Sequence, residues 1–288
     1  MKNLVIGPHG LLGSEFVWEL DFEGEEVFTA GRKDADYYFD LTDPQTIDAV
    51  FEDQKFERVF FCAYKSHVDW SELNPIPAHN VNLFGNWYAI RSASRSGAKV
   101  FFPSSSYVFD GKKKVPYLYE ETDKIKPLNV YGRDKRELEN TILEECPKSI
   151  VFRTVGVFGE EIYHKNFVYQ VLQHIQMQKE MRVPDDQFMN PIWSSNLAKA
   201  VLDLDETGYN GLIHIAGNVS MSKYRWARSI AELTHDEELI IPVKSAELDQ
   251  VAERPKNAVL SCQRFLDLVG YLPEMGMREF LNGLHPRG

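Results

Sequence analysis

The sequence predicts an α/β fold: a Rossmann-type doubly wound parallel sheet followed by a smaller C-terminal α/β lobe. Three observations predict it. The chain opens with a short apolar run, Asn3-Leu4-Val5-Ile6, that passes directly into a glycine-rich turn and then an apolar helical pattern. Apolar runs and helical patterns alternate from there to Thr154, the order that parallel strands joined by crossover helices require. With 288 residues, 43% of them hydrophobic, the chain can fill a large core and a second, smaller one.

Residues 2–6 form the first strand. Gly7, Gly10 and Gly13 follow as Gly-x-x-Gly-x-x-Gly, and Leu12, Phe16, Val17 and Leu20 give the first helix its apolar face. Strand, glycine turn and helix in that order suit a dinucleotide. Gly7 permits the tight turn, Gly10 the approach of a pyrophosphate, and Gly13 close packing of helix on strand. Leu11 and Leu12 lie where the helix N-terminus offers N–H groups and a positive dipole end to an anion. His9, between two of the glycines, reads as a solvent-exposed loop residue.

The second strand, residues 26–30, ends in Gly31-Arg32-Lys33. A site selective for NAD places a carboxylate here, whereas Arg32 and Lys33 can pair with a 2′-phosphate, so the cofactor expected is NADP(H). Asp40, followed by Leu41, is placed to reach the adenine amine. A helix over 44–52 and a strand over 58–63 complete the first half of the sheet, leaving Ala63 and Tyr64 where the cofactor crosses. A longer helix is expected over 78–96, carrying Asn82, then strands over 99–103 and 149–154.

The richest chemistry lies between Ser104 and Lys135. Ser104-Ser105-Ser106-Tyr107 stands at the end of the fourth strand, and Asn129 can cap a helix on which Tyr131 and Lys135 share one face. A phenol ionises near pH ~10, so it shuttles protons poorly at neutral pH unless a cation favours its anion. Lys135 would supply that charge, and Ser105 could hydrogen-bond the same carbonyl oxygen that Tyr131 protonates. Tyr-x-x-x-Lys alone also describes an ordinary solvated helix face. Its weight comes from the dinucleotide turn that precedes it.

Composition excludes several classes. A net charge of −11 argues against nucleic acid as the main partner. No apolar run reaches the length of a membrane span and no leader precedes the first strand, so a soluble, cytoplasmic protein is expected. Cys62, Cys146 and Cys262 form no Cys-x-x-Cys pair, the usage of a reducing compartment. The eight histidines show no His-x-x-x-His spacing, and no catalytic metal is expected.

These motifs, with Asp-Leu-Thr-Asp at 40–43, Val-Asn at 81–82, Ser-Ser-Ser-Tyr-Val-Phe-Asp-Gly at 104–111, Asn-Val-Tyr-Gly-Arg-Asp-Lys at 129–135 and Arg-Pro-Lys-Asn at 254–257, resemble the extended short-chain dehydrogenase/reductases. More narrowly, they resemble the dTDP-4-dehydrorhamnose reductase group, and the likeness runs in order along essentially the whole chain. It implies NADPH-dependent reduction of the 4-keto group of a nucleotide-diphospho-6-deoxy sugar. Ser105 takes the place of the residue that holds the carbonyl oxygen, Tyr131 that of the acid and Lys135 that of the cation, while Asn82 supports the active-site helix. The likeness also implies a cofactor domain over 1–158, with returns near 191–215, and a mainly substrate-binding lobe over 159–288. Ser106, Tyr107, Asn166, Gln187 and Arg254 match positions near the sugar and diphosphate, and a guanidinium such as Arg254 suits a diphosphate.

Two departures leave the sugar open. Ser105-Ser106-Tyr107 stands where the group usually has Thr-Asp-Tyr, and Val155-Gly156 where a Ser-Trp pair is common, so the pocket is expected to be wider or to read another sugar face. The missing acidic residue after Ser105 argues against dehydration. An NADP-binding regulatory subunit similar to methionine adenosyltransferase beta, or a reductase of another carbonyl, are the alternatives, and a homodimer stays open. In the C-terminal half Leu172, Ile175 and Met177 read as core, and Trp193, Tyr224 and Trp226 as core or contacts.

Overall fold

The computed structural model describes residues 1–161 and 164–284. Its centre is a seven-stranded sheet. The strands are β1 (Lys2–Ile6), β2 (Glu26–Gly31), β3 (Tyr37–Tyr38), β4 (Arg58–Phe61), β5 (Lys99–Ser105) and β6 (Ser149–Thr154). After the short β7 (Val157–Phe158), β8 (Met181–Pro184), β9 (Phe188–Met189) and β10 (Ile192–Trp193), the chain returns to add β11 (Gly211–His214). All pairings are parallel, in the order β11-β6-β5-β4-β1-β2-β3. Strand order reverses between β1 and β4, so a crevice opens beyond the carboxyl ends of β1, β4 and β5.

Every residue of β4 and β6 is buried, because helices cover both faces of a parallel sheet. Successive side chains of β4 enter opposite layers. Phe60 stacks on Phe101 and meets Phe16 in one layer, while Val59 and Phe61 join Leu4, Ile6 and Phe102 in the other. The helices concerned are α1 (Gly13–Phe22) and, opposite, α2 (Pro44–Asp53), α5 (Asn86–Arg95) and α6 (Val130–Glu145), numbered with α3 (Val68–Leu73) and α4 (Pro75–Ala78) between them. The first layer continues without a break into the second lobe through Phe158 and Trp226.

That lobe is built from α7 (Phe167–Gln176), α9 (Lys223–Ala231) and paired short strands, including β12 (Met221–Ser222) on β9 and β13 (Ile240–Val243) on β8, while α8 (Ser194–Glu206) returns to pack on α1. Ile175 is core as expected, Trp226, which the sequence leaves open between core and contact, is core too, and Leu172, Trp193 and Tyr224 pack against it. Met177 is not core but 61% exposed, since it is the C-cap of α7, past the helix's last inward-facing turn.

The helix expected over 78–96 is interrupted. A π-helical turn, His79–Gly85, separates α4 from α5. Gly85 seats this turn against the loop after β3: a Cβ there would lie 2.3 Å from the Leu41 carbonyl oxygen. Asn82, at the centre of the turn, is fully buried.

Candidate active site

The cofactor side begins at the glycine turn. Gly7 has φ +86°, and a Cβ on it would lie 2.7 Å from the Ala63 nitrogen; one on Gly13 would lie 2.1 Å from the Gly7 carbonyl oxygen. A Cβ on Gly10 would meet the protein only at ordinary contact, 3.4 Å from the Gly7 oxygen. Gly7 and Gly13 are therefore required by the chain itself, whereas Gly10 leaves the turn open on its outer side. Leu12, the N-cap of α1, makes no side-chain cap, so no side chain occupies the helix N-terminus where an anion is favoured, although the Ser14 N–H is already bonded to the Gly10 carbonyl. These features fit a dinucleotide pyrophosphate.

His9 is exposed, yet it is not idle: its Nε2 lies 3.1 Å from the Lys33 carbonyl oxygen and 2.9 Å from that of Asp34. It thereby ties the glycine turn to the loop that presents Arg32 and Lys33, both exposed at the end of β2. Asp40 Oδ1 accepts from the Thr42 N–H (2.8 Å) and hydroxyl (2.7 Å). These bonds hold the carboxyl below its usual range, with Arg32 adding to the effect. Asn82 closes two bonds on one residue, accepting from the Lys65 N–H at 2.8 Å and donating to its carbonyl at 3.1 Å. Asn86, which sequence reasoning missed, donates to the Ala63 carbonyl at 3.3 Å. Together they fix Ala63 and Tyr64 at the exit of β4.

The proton-transfer side lies at the end of β5. Asn129 caps α6 by accepting from the Gly132 N–H at 2.8 Å, and its amide donates to the Glu253 carbonyl at 2.8 Å. Gly132 packs directly on Tyr107, where a Cβ would come within 2.3 Å of the carbonyl oxygen. Tyr131 is thus brought between two rings, edge-on to Tyr64 at 5.6 Å and to Tyr107 at 5.8 Å. The Ser105 Oγ accepts from the Tyr107 N–H at 3.2 Å.

Lys135 Nζ donates to the Pro103 carbonyl at 2.7 Å and sits 3.4 Å above the Tyr64 ring, but 5.9 Å from the Tyr131 centroid. Burial lowers Lys135 to about 7, against the pull of Cys62, Glu139 and Asp134. Burial also raises Tyr131 to about 12, opposed by hydrogen bonding with Ser105. The expectation that Lys135 brings the phenol down is therefore corrected. The ammonium turns to a carbonyl and an aromatic face, and desolvation keeps the Tyr131 proton in place. A phenol held protonated is suited to giving a proton to a carbonyl oxygen rather than taking one.

Because β5 alternates, Ser104 points away from this site. Its hydroxyl donates to Glu139, whose carboxylate is held by Arg153 in a buried fork of two 2.8 Å bonds. The guanidinium lies 5.0 Å over Phe109.

On the substrate side a cleft of about 660 Å³ runs between Asp110–Val115 and the C-terminal segment, lined by Gln187 and Arg254 among others. Of the residues expected here, Arg254, Asn166 and Gln187 are otherwise engaged and Ser106 is buried. Arg254 forks onto Asp69 of α3 (2.8 and 2.7 Å) and donates to the Ala252 carbonyl at 2.7 Å, so its charge is already neutralised. Asn166 caps α7, accepting from the Val168 N–H and donating to the Gly159 carbonyl. Ser106 is wholly buried with its hydroxyl unpartnered, so it does not front the cleft. Gln187 donates to Gln250 at 3.0 Å.

Gly156 does not widen the pocket. It has φ +60°, and a Cβ there would press on Met189 and Pro191 at 3.2 Å. Among the described residues no His/Cys/Asp/Glu group could hold a metal, and no helix is long and apolar enough to cross a membrane.

Comparison with known proteins follows the same geometry. The model described as RmlD substrate binding domain matches residues 1–282. The chain is 30% identical to a dTDP-4-dehydrorhamnose reductase of Aggregatibacter actinomycetemcomitans, over 98% of this chain and 97% of that one. It is 28% identical to methionine adenosyltransferase 2 subunit beta of Danio rerio, over 93% of this chain and 85% of the relative. A solved dTDP-4-dehydrorhamnose reductase of Clostridium acetobutylicum superposes with a TM-score of 0.90 at 28% identity, covering 99% of each chain. One of Bacillus anthracis, in complex with NADP, gives 0.89 at 25% identity, covering 98% of this chain and 99% of the other.

Proposed function

This chain belongs to the RmlD substrate binding domain family, and from that premise we propose that it reduces the 4-keto group of a nucleotide-diphospho-6-deoxy sugar with NADPH. The observation that carries the reading is the meeting of Ser105, Tyr131 and Lys135 at the carboxyl end of β5, beside the crevice at the β1/β4 reversal. NADPH, when bound, supplies the hydride. Gly7, Gly10, Leu11, Leu12 and Gly13 receive its pyrophosphate, and Arg32 its 2′-phosphate. Tyr131 gives its proton to the carbonyl oxygen as negative charge develops there, and Ser105 holds that oxygen by a hydrogen bond. Lys135, anchored on Pro103 beneath Tyr64, stands at the edge of the cofactor site, where its ammonium would help to hold the bound cofactor.

The test is NADPH oxidation, followed by absorbance, with a dTDP-4-keto-6-deoxy sugar, against NADH and a Tyr131→Phe control. Turnover that needs Tyr131 supports the reading; tight NADPH binding without turnover on any keto-sugar overturns it. The Danio rerio relative supports a second reading, an NADP-binding regulatory subunit. Co-purification with a partner enzyme, in the absence of turnover, would favour that one.

A further inference from the structure

We propose that Lys223 is the cation that receives the diphosphate of the substrate, a role Arg254 does not fill while it is forked onto Asp69. The proposal rests on the reductase reading above. Lys223 opens α9 directly after the N-cap Ser222, and its own N–H donates to the Gln187 carbonyl at 2.8 Å, so its backbone is pinned to a residue that lines the cleft. Its ammonium lies 4.5 Å over the Phe167 ring. No ion pair or hydrogen bond to that ammonium is present among the described residues. Two charges act on it: Arg254, which repels it, and Asp69, which attracts it but is already bidentate to Arg254. A desolvated ammonium in this position is completed by an incoming anion.

In a hexose ring the C4 carbonyl and the C1 phosphate lie on opposite sides, so the group reading phosphate stands about one ring's width from the acid. Tyr107 links the two: it is edge-on to Tyr131 at 5.8 Å, and Arg254 and Asp69, the two charges that act on Lys223, act on it as well. Burial, with the Arg254 charge adding to it, lowers Lys223 to about 8. Its positive charge is therefore present below that pH and lost above it.

The experiment pairs steady-state kinetics with equilibrium binding of dTDP and of thymidine to the full chain loaded with NADPH. For Lys223→Met, and for Lys223→Gln as a polar control, the keto-sugar KM should rise roughly 10–100-fold with kcat within about threefold. dTDP should weaken in parallel, while thymidine and NADPH affinities hold. Lys223→Arg should restore most of the binding and abolish the rise in wild-type KM above pH ~8. Equal weakening of thymidine and dTDP, or unchanged dTDP binding, overturns the assignment. Wild-type protein that binds dTDP through Lys223 yet turns over no keto-sugar would instead overturn the reductase reading alone.

Discussion

At the glycine turn, residue identity is set by backbone approach: a methyl group on Gly7 or Gly13 would collide with main-chain atoms. Across the crevice, Asn166, Gln187 and Arg254 are engaged with Val168, Gln250 and Asp69, side chain to backbone or side chain to side chain. The cofactor half is a shape that the chain must adopt in order to fold. The substrate half is a set of contacts that several residue combinations could make. A motif in the first half therefore carries its geometry with it, while a matched residue in the second carries only its position.

The largest effect tests the seam between the halves. Tyr131→Phe should cut kcat by about 10³-fold with NADPH affinity unchanged, as expected for removal of a general acid; near-normal turnover would remove the phenol from the mechanism. Next come the two glycines. Gly13→Ala should weaken NADPH by roughly 100-fold and also lower the melting temperature, because the turn itself must shift. Gly10→Ala should weaken the cofactor while leaving the melting temperature of the free protein in place. Equal thermal losses would break the distinction between a glycine required by the chain and one required by the ligand.

Arg32→Ala should weaken NADPH by about tenfold and NADH hardly at all, measured by fluorescence titration. Equal losses would show that the 2′-phosphate is read elsewhere. The smallest effect lies in the substrate half. Asp69→Asn removes a partly exposed partner from Arg254 and should lower unfolding free energy by about 1 kcal/mol in urea. A double substitution with Arg254→Met that costs no more than either single change would confirm the two as one unit.

What was legible in the sequence follows the same division. The alternation of strands and helices, the glycine turn and the helix shared by Tyr131 and Lys135 are local patterns, written within a few turns of chain, and the structure carries all of them. The π-turn at His79–Gly85 was not legible, since the contact it makes, Gly85 against the Leu41 carbonyl, lies far away in the chain. Asp69 was missed because its partner lies 185 residues away. The lowering of Tyr131 by Lys135 was expected from spacing alone, and spacing does not say which way an ammonium turns; Pro103 and Tyr64 decide that. Gly156 suggested a vacated pocket, but a positive φ and the approach of Pro191 show why glycine stands there.

The buried fork of Glu139 and Arg153 behind Ser104 bears on how this site can change over generations. Either charge lost alone leaves the other stranded out of water, a penalty of about 3–5 kcal/mol that most domains of this size survive poorly. Positions 139 and 153 are therefore tied to each other, and single replacement of either is costly. A library of single substitutions will find the strand beneath Ser105 immovable, while the exposed loops around the cleft drift freely to meet new sugars.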